Sequence, residues 1–529
     1  MRSAVLLAAS ALVLAACAAT PRQAENWPAA AGPRGDWTVQ TAQPPPEVFS
    51  VTSGLNILWR QKLPEGGQSG LVVDGGRVFL SIIKPIKEVR NGGDLMVTDI
   101  TAMCLDAADG HVLWQHDLAG TAPSEAMYGF SDSSSPTPVA DGKHVVFTNA
   151  SGRQTCFDYD GRTVWDRPFR PVMELNGTHF PFNKQFEPML AGGLVLNMEP
   201  DWKGEAGPAG WNHLFAFDAA TGERRWISED PLTHYNMPAL WRRPDGSAAV
   251  LMGRGAYHGV PEAPSGLTLT DLQTGKRLWR FEAKEGITLY NEAVHDGTAF
   301  WWSDNSGELQ LVNAATGAAG AKWSLTKKVE LNLWDAAAGK HGKQTGVDLA
   351  QRQLKVFPAW FSNIQVGRKL FFLCFKPGAF RQKIGPSYCA ARLDLDSGRI
   401  EYLELPTAVD RSAGAPRYQW GTEAKSGTKN SRGLDVAHDK RSQRDGWHWN
   451  FNGNPIAVNH RIYYTTMSGL VYTLATDTAD FGPEALLGVS DLGPAGDTWT
   501  VNTPSVADGR LYHRTLKEII CVGAPAAKR

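Results

Sequence analysis

No two cysteines are adjacent in these 529 residues, and the six present include no Cys-x-x-Cys-His run, which excludes c-type haem attachment. There is no Gly-x-Ser-x-Gly elbow, no His-Glu-x-x-His helix and no Walker loop. The commonest signatures of hydrolases, zinc proteases and nucleotide enzymes are therefore missing. An excess of either charge is missing too: 53 Lys and Arg stand against 54 Asp and Glu, for a net charge of −1. No global field is available to recruit nucleic acid or an anionic membrane. The apolar run at residues 4–14 is too short to span a bilayer as a helix.

That run belongs to a targeting segment. Arg2 supplies a minimal positive region, the apolar stretch follows, and Leu14-Ala15-Ala16-Cys17 resembles a bacterial lipobox. Cys17 is the expected lipidation site, with residues 1–17 as signal peptide. Ala18 follows it in place of an Asp retention signal, so the expected destination is the periplasmic side of a Gram-negative outer membrane, reached through the lipid anchor alone. An ordinary secretory signal cleaved near Ala19 is the competing reading. The Ala- and Pro-rich residues 18–54 read as a semi-rigid tether.

From residue 55 to 524 the chain repeats itself. A hairpin with an Asp- or Asn-led, glycine-containing turn and a following aromatic recurs. It runs Asp106 to Gly110 with Trp114, Asp158 to Gly161 with Trp165, and Asp218 to Gly222 with Trp226. It returns as Asp271 to Gly275 with Trp279, Asn313 to Gly317 with Trp323, and Asp394 to Gly398 with Tyr402. Each glycine marks a turn that needs positive φ, and each aromatic falls at the same place on an outer strand, able to cover a seam. A second hairpin set turns at Asp74-Gly75, Asp141-Gly142, Gly192-Gly193, Asp245-Gly246, Asp296-Gly297, Val366-Gly367, Asn459-His460 and Asp508-Gly509. Four strands per unit, with Trp59, Trp114, Trp165, Trp226, Trp279 and Trp323 lying 44 to 61 residues apart, predict an all-β propeller of four-stranded antiparallel blades. The hairpins count to eight blades; degenerate units around Tyr402 and Leu487 leave a count of seven open. The last blade, ending near Cys521, lacks an outer strand, and residues 56–63 are expected to supply it and close the ring.

These hairpins resemble the PQQ-like, quinoprotein alcohol dehydrogenase-like, β-propeller repeat family. The resemblance implies the fold and leaves the activity open, since the family includes enzymes and assembly scaffolds. Its dehydrogenases typically stack the quinone against a ring made by two adjacent cysteines, with calcium or a lanthanide alongside. This chain has no such cysteine pair. No cofactor or metal is expected, PQQ with calcium being the alternative.

In a propeller, residues entering each inner strand line the channel mouth. Asn236, Asn291, Asn363, Asn454 and Asn502 hold that position in consecutive units, with Asn183 as a sixth. Trp360, Trp447, Trp449 and Trp499 lie close by in sequence, and His448 sits between two of them. Amides beside indoles suit a polar, hydroxyl-rich ligand; the competing reading is that the amides cap loop backbone. Glu174, His179 and Glu187 cluster in sequence as an acid/base candidate, and no catalytic residue is assigned. Cys374 and Cys389 are a candidate disulfide on adjacent strands, whereas Cys104, Cys156 and Cys521 read as buried filler. Two insertions break the rhythm. Residues 326–356 read as short helices. Residues 407–446 read as solvated loop, with a lid or docking arm as the alternative. The expected role is a binding or protein-interaction scaffold whose partners are proteins, or a polar small molecule or glycan. A PQQ-dependent dehydrogenase or a carbohydrate-active propeller is the rival.

Overall fold

A computed structural model describes residues 26–525 except 88–89, 92–93, 126–131, 172–186, 234–236, 256–263, 284–292, 304–306, 352–355, 357, 378–386, 413–414, 424–425 and 437–452. Glycine-containing turns alternate with strands of two to eight residues, and the result is eight blades around an axis. Blade one shows the plan. Its strands Val72–Asp74, Arg77–Ile83, Ile100–Asp106 and Val112–Leu118 run from axis to rim, each antiparallel to the next. The inner pair and the outer pair each turn at one face of the disc, the turn face; longer connections occupy the other, the loop face. The second and third strands are almost wholly buried, and the outer strand is mostly exposed.

The repeat residues do two jobs. Asp218 Oδ1 accepts backbone N–H bonds from Ala220 and Thr221, both at 3.0 Å, which folds the turn; Asp271, Asn313 and Asp394 do the same in their blades. Gly222 then takes φ of 73° and lies against the indole of Trp165 from the preceding blade, leaving 2.8 Å between that ring and any Cβ. Gly110 meets Trp59, Gly161 meets Trp114, Gly275 meets Trp226 and Gly317 meets Trp279 in the same way. Trp165 Nε1 also donates to Ala219 O at 2.9 Å, and Trp279 Nε1 to Ala314 O at 2.7 Å. The aromatic of one blade thus requires the glycine of the next, as the expectation of a seam role demands.

Tyr402 breaks this rule. It is buried within blade six, its hydroxyl donating to Leu325 O at 2.6 Å. Charge holds the next seam together. Arg392, paired with Glu401 at 2.6 Å with both side chains 3% exposed, donates to Thr478 O and Ala479 O of blade seven. Arg399 bridges Glu330 and Asp480.

Ring closure is as expected: Ile57–Lys62 completes blade eight beside Glu518–Val522, with Trp59 opposite Cys521. Three expectations are corrected. The described part of residues 326–356 forms no helix; Val329–Asp335 and Lys340–Val347 make a hairpin whose first strand runs parallel to Ile400–Leu405, widening blade six to six strands. Their apolar positions alternate in part, Val329 and Leu331 facing the blade interior. The described part of residues 407–446 is not simply solvated. Ala408–Asp410 and Arg417–Gln419 pair, Trp420 stacks on Trp334 at 3.7 Å and 3°, and residues 426–436 fold back onto the propeller.

The third correction concerns the tether, which from residue 26 onward is part of the fold. Trp27 exchanges backbone bonds with Val73 of blade one, and Ala140 of blade two donates to Pro28 O. Gly35 lies against Leu240 of blade four, and Thr38–Val39 pairs in parallel with Ile456–Val458 of blade seven. The chain then leaves between blades seven and eight, where Ser50 bridges Asp491. Trp27, Trp37 and Phe49 are fully buried along this path. Three such side chains supply more apolar area than a tether could leave in water.

Candidate functional site: the central channel

Among the described residues the inner strands are only two to four residues long, so the side chains that enter them decide whether the axis is open. Met237, just before the inner strand of blade four, reaches the opposite side of the ring. It receives the Nδ2 of Asn454, which precedes the inner strand of blade seven, at 3.0 Å from its sulfur. Met237 also packs in one cluster with Trp37, Phe361, Ile364 and Ala457. The N-terminal segment therefore closes the turn end of the channel and Met237 fills its axis. A small cavity of about 120 Å³ remains between residues 28–37 and the inner strands of blades two to four.

At the loop face, hydroxyl-bearing residues stitch blades eight, one, two and three. Gln68 N donates to Ser134 Oγ at 3.0 Å, and Ser134 Oγ donates to Asp132 Oδ1 at 2.7 Å. Gly70 N donates to Thr137 Oγ1 at 3.0 Å, and Thr137 N donates to Glu187 Oε2 at 2.7 Å. Arg514, 1% exposed, donates from Nη1 to Ser69 Oγ at 2.8 Å and to Ser81 O at 2.7 Å. Burial lowers its pKa to about 10, which leaves it charged at neutral pH, and Asp132 supports that charge. With its amide nitrogen turned towards blade one, Asn502 donates to Ser69 O at 3.0 Å.

Above this layer lie residues 426–436. Gly427 N donates to Thr498 O at 3.0 Å, and the buried Glu65 holds both Asn430 and Arg432. Leu434 and Val436 pack with Trp360, Met467, Trp499 and Val501. The insertion thus caps part of the mouth, pinned by an ion pair to blade one.

The expected site residues separate accordingly. Asn363, Asn454 and Asn502 are all buried, and Asn502 follows the backbone-capping reading. Trp360 and Trp499 belong to one apolar cluster. Glu187 is spent on Thr137. Cys374 and Cys389 stand opposite one another on paired strands, yet both are free thiols, so the expected disulfide is not formed. Each points into the closed cluster around Phe372 and Tyr402, and burial raises both thiol pKa values. Cys104, Cys156 and Cys521 are buried as expected, burial pushing each thiol up to about 12. Cys17, Glu174, His179, Asn183, Asn236, Asn291, Trp447, His448 and Trp449 lie outside the described residues.

The serine–threonine layer and Arg514 were not singled out in the sequence. The run Asp132-Ser133-Ser134-Ser135 was the available signal, since consecutive small hydroxyls before an inner strand can bond backbone on both sides. Glu330, Glu401 and Asp480 converge elsewhere, but Arg399 and Lys343 already neutralise them.

Comparison with known proteins agrees with this architecture. Residues 98–286 match the family model described as "Outer membrane protein assembly factor BamB". No curated protein matches the chain by sequence. A europium-containing methanol dehydrogenase is similar in structure at a TM-score of 0.53 and 11% identity, over 92% of this chain and 89% of that one. The quinohemoprotein alcohol dehydrogenase from Comamonas testosteroni follows at 0.51 and 12%, over 95% of this chain and 81% of that one. At such identities the likeness concerns the fold alone. In its Asp-to-Gly hairpins, tryptophan seams and eight closed blades this chain is similar to the PQQ-like β-propellers.

Proposed function

We propose that this protein is an exported, lipid-anchored scaffold that binds other proteins at the periplasmic face of the outer membrane. The observation that carries the reading is the filled axis: Met237 and Asn454 meet across the ring above Trp37. A quinone needs a slot between two flat faces, and a glycan needs an open groove with exposed indoles. The described mouth groups fit neither, because Trp360 and Trp499 pack into an apolar cluster, Asn502 and Thr137 are bonded to a neighbouring loop, and Ser69 is bonded to Ser81 and Arg514. Recognition is then left to outer surfaces and strand edges, where an extended chain can add as a further strand. The assembly-factor description of the matching family model supports the same direction. Export and anchoring rest on the signal-like segment and Cys17. Among the described residues no helix is long and apolar enough to cross a membrane.

The test is titration of the full chain with PQQ and calcium, followed by quinone absorbance and thermal shift. No saturable, metal-dependent change is the expected result. Stoichiometric stabilisation would replace the scaffold with a quinoprotein.

A further inference from the structure

We propose that the turn face of the propeller lies against the membrane and that the loop face, with its cap at residues 426–436, points away from it. This rests on the anchoring of Cys17 proposed above.

The first argument is reach. Nine residue steps separate Cys17 from Asn26, which at 3.3–3.6 Å per residue span at most about 30 Å. Trp27 is fixed by two backbone bonds to Val73, at 2.7 and 3.0 Å, and the bridge is antiparallel. Val73 is followed within two residues by its turn, so the chain preceding Trp27 leaves towards the turn face. To reach lipid at the loop face, it would have to round the rim. That path crosses three strand spacings, about 14 Å, and then the height of a seven-residue strand, about 23 Å. The sum exceeds the available reach before any lipid is met.

The second argument is independent of the anchor. Five large apolar side chains are exposed among the described residues: Leu55, Val112, Leu113, Val164 and Leu278, between 40% and 45%. All five lie at the turn-face end of an outer strand or just before it, in blades eight, one, two and four. Turns of this face carry mixed charge, Asp160 with Arg162 and Asp218 with Arg225, so no strong field of one sign opposes a bilayer. An apolar rim on the side where the anchor emerges fits the interface between lipid headgroups and acyl chains.

The experiment uses the lipidated full chain in phosphatidylethanolamine–phosphatidylglycerol vesicles. Cys104, Cys156, Cys374, Cys389 and Cys521 are buried, so one introduced thiol can be labelled selectively with an environment-sensitive fluorophore. Leu113→Cys and Val164→Cys report on the turn face, whereas Lys84→Cys and Lys327→Cys report on exposed positions of the loop face. Lipids carrying a quencher in the upper acyl chain are expected to dim the first two probes and spare the others. Dimming of the loop-face probes, of both pairs, or of neither would overturn the orientation. The mass of the N-terminal peptide separates the two proposals. A chain without lipid on Cys17 refutes the anchor, and a lipidated chain with the wrong probes quenched refutes the orientation alone.

Discussion

Gly222 and Gly142 have similar backbone strain, with φ of 73° and 89°, but only Gly222 has a neighbouring ring where a Cβ would go. Gly142→Ala is expected to cost only the left-handed backbone, about 1 kcal/mol; Gly222→Ala should cost about 2–4 kcal/mol because Trp165 must also shift. Denaturant midpoints of the two variants check this, and equal losses would contradict the seam argument. His513 gives the pH counterpart. It is fully buried beside Phe49, and burial alone lowers its pKa from 6.5 to about 3. Unfolded chains take up the proton below about 6.5 while the folded protein stays neutral, so stability falls as pH drops from 6.5 towards 3. A loss of a few kcal/mol over that window is expected. His513→Gln should flatten this part of the pH–stability curve measured by urea unfolding.

At the level of elements, the seam between blades six and seven differs from the others in chemistry. Where the repeat has Tyr402 turned inwards, Arg392 and Glu401 are buried as a pair and reach the carbonyls of residues 478 and 479. A buried pair is costly to break and cheap to replace. Glu401→Gln is expected to cost about 3–5 kcal/mol, by leaving the guanidinium without its counter-charge. The double variant with Arg392→Met should lose less than the two single losses combined. A double-mutant cycle on unfolding free energy reads the difference; additive losses would mean that the seam does not depend on the pair. The hairpin that widens this blade was misread as helical because Asp335 is followed by three alanines, strong helix formers. Those alanines lie in the hairpin turn, and the parallel pairing of residues 330–332 with 401–403 outweighs their preference.

For the whole molecule, closure governs stability. Ile57–Lys62 covers the edge of Glu518–Val522, and Arg60 clasps Glu518 at 2.6 Å. Removing residues 26–63 takes away both this strand and the channel plug. The remainder is expected to expose a sheet edge and self-associate, seen as earlier elution in size-exclusion chromatography and a lower melting temperature. A monomeric, equally stable remainder would show that the ring holds without its closing strand.

What the sequence determined by itself was everything carried by local periodicity. Turn glycines, Asp-led caps and the recurring tryptophans specify blades, because each depends on neighbours one hairpin or one blade away, and the strand missing from the last repeat matches the spare one at residues 56–63. The state of the channel was decided only by tertiary structure. Trp27 and Trp37 sit in an Ala- and Pro-rich stretch without period, and no local rule shows that they thread a ring built from residues hundreds of positions later. The same holds for Met237 meeting Asn454, and for Glu65 pinning residues 430 and 432. Burial made Asn502, expected at the mouth, a structural tie, because an amide enclosed between two loops bonds the backbone it faces.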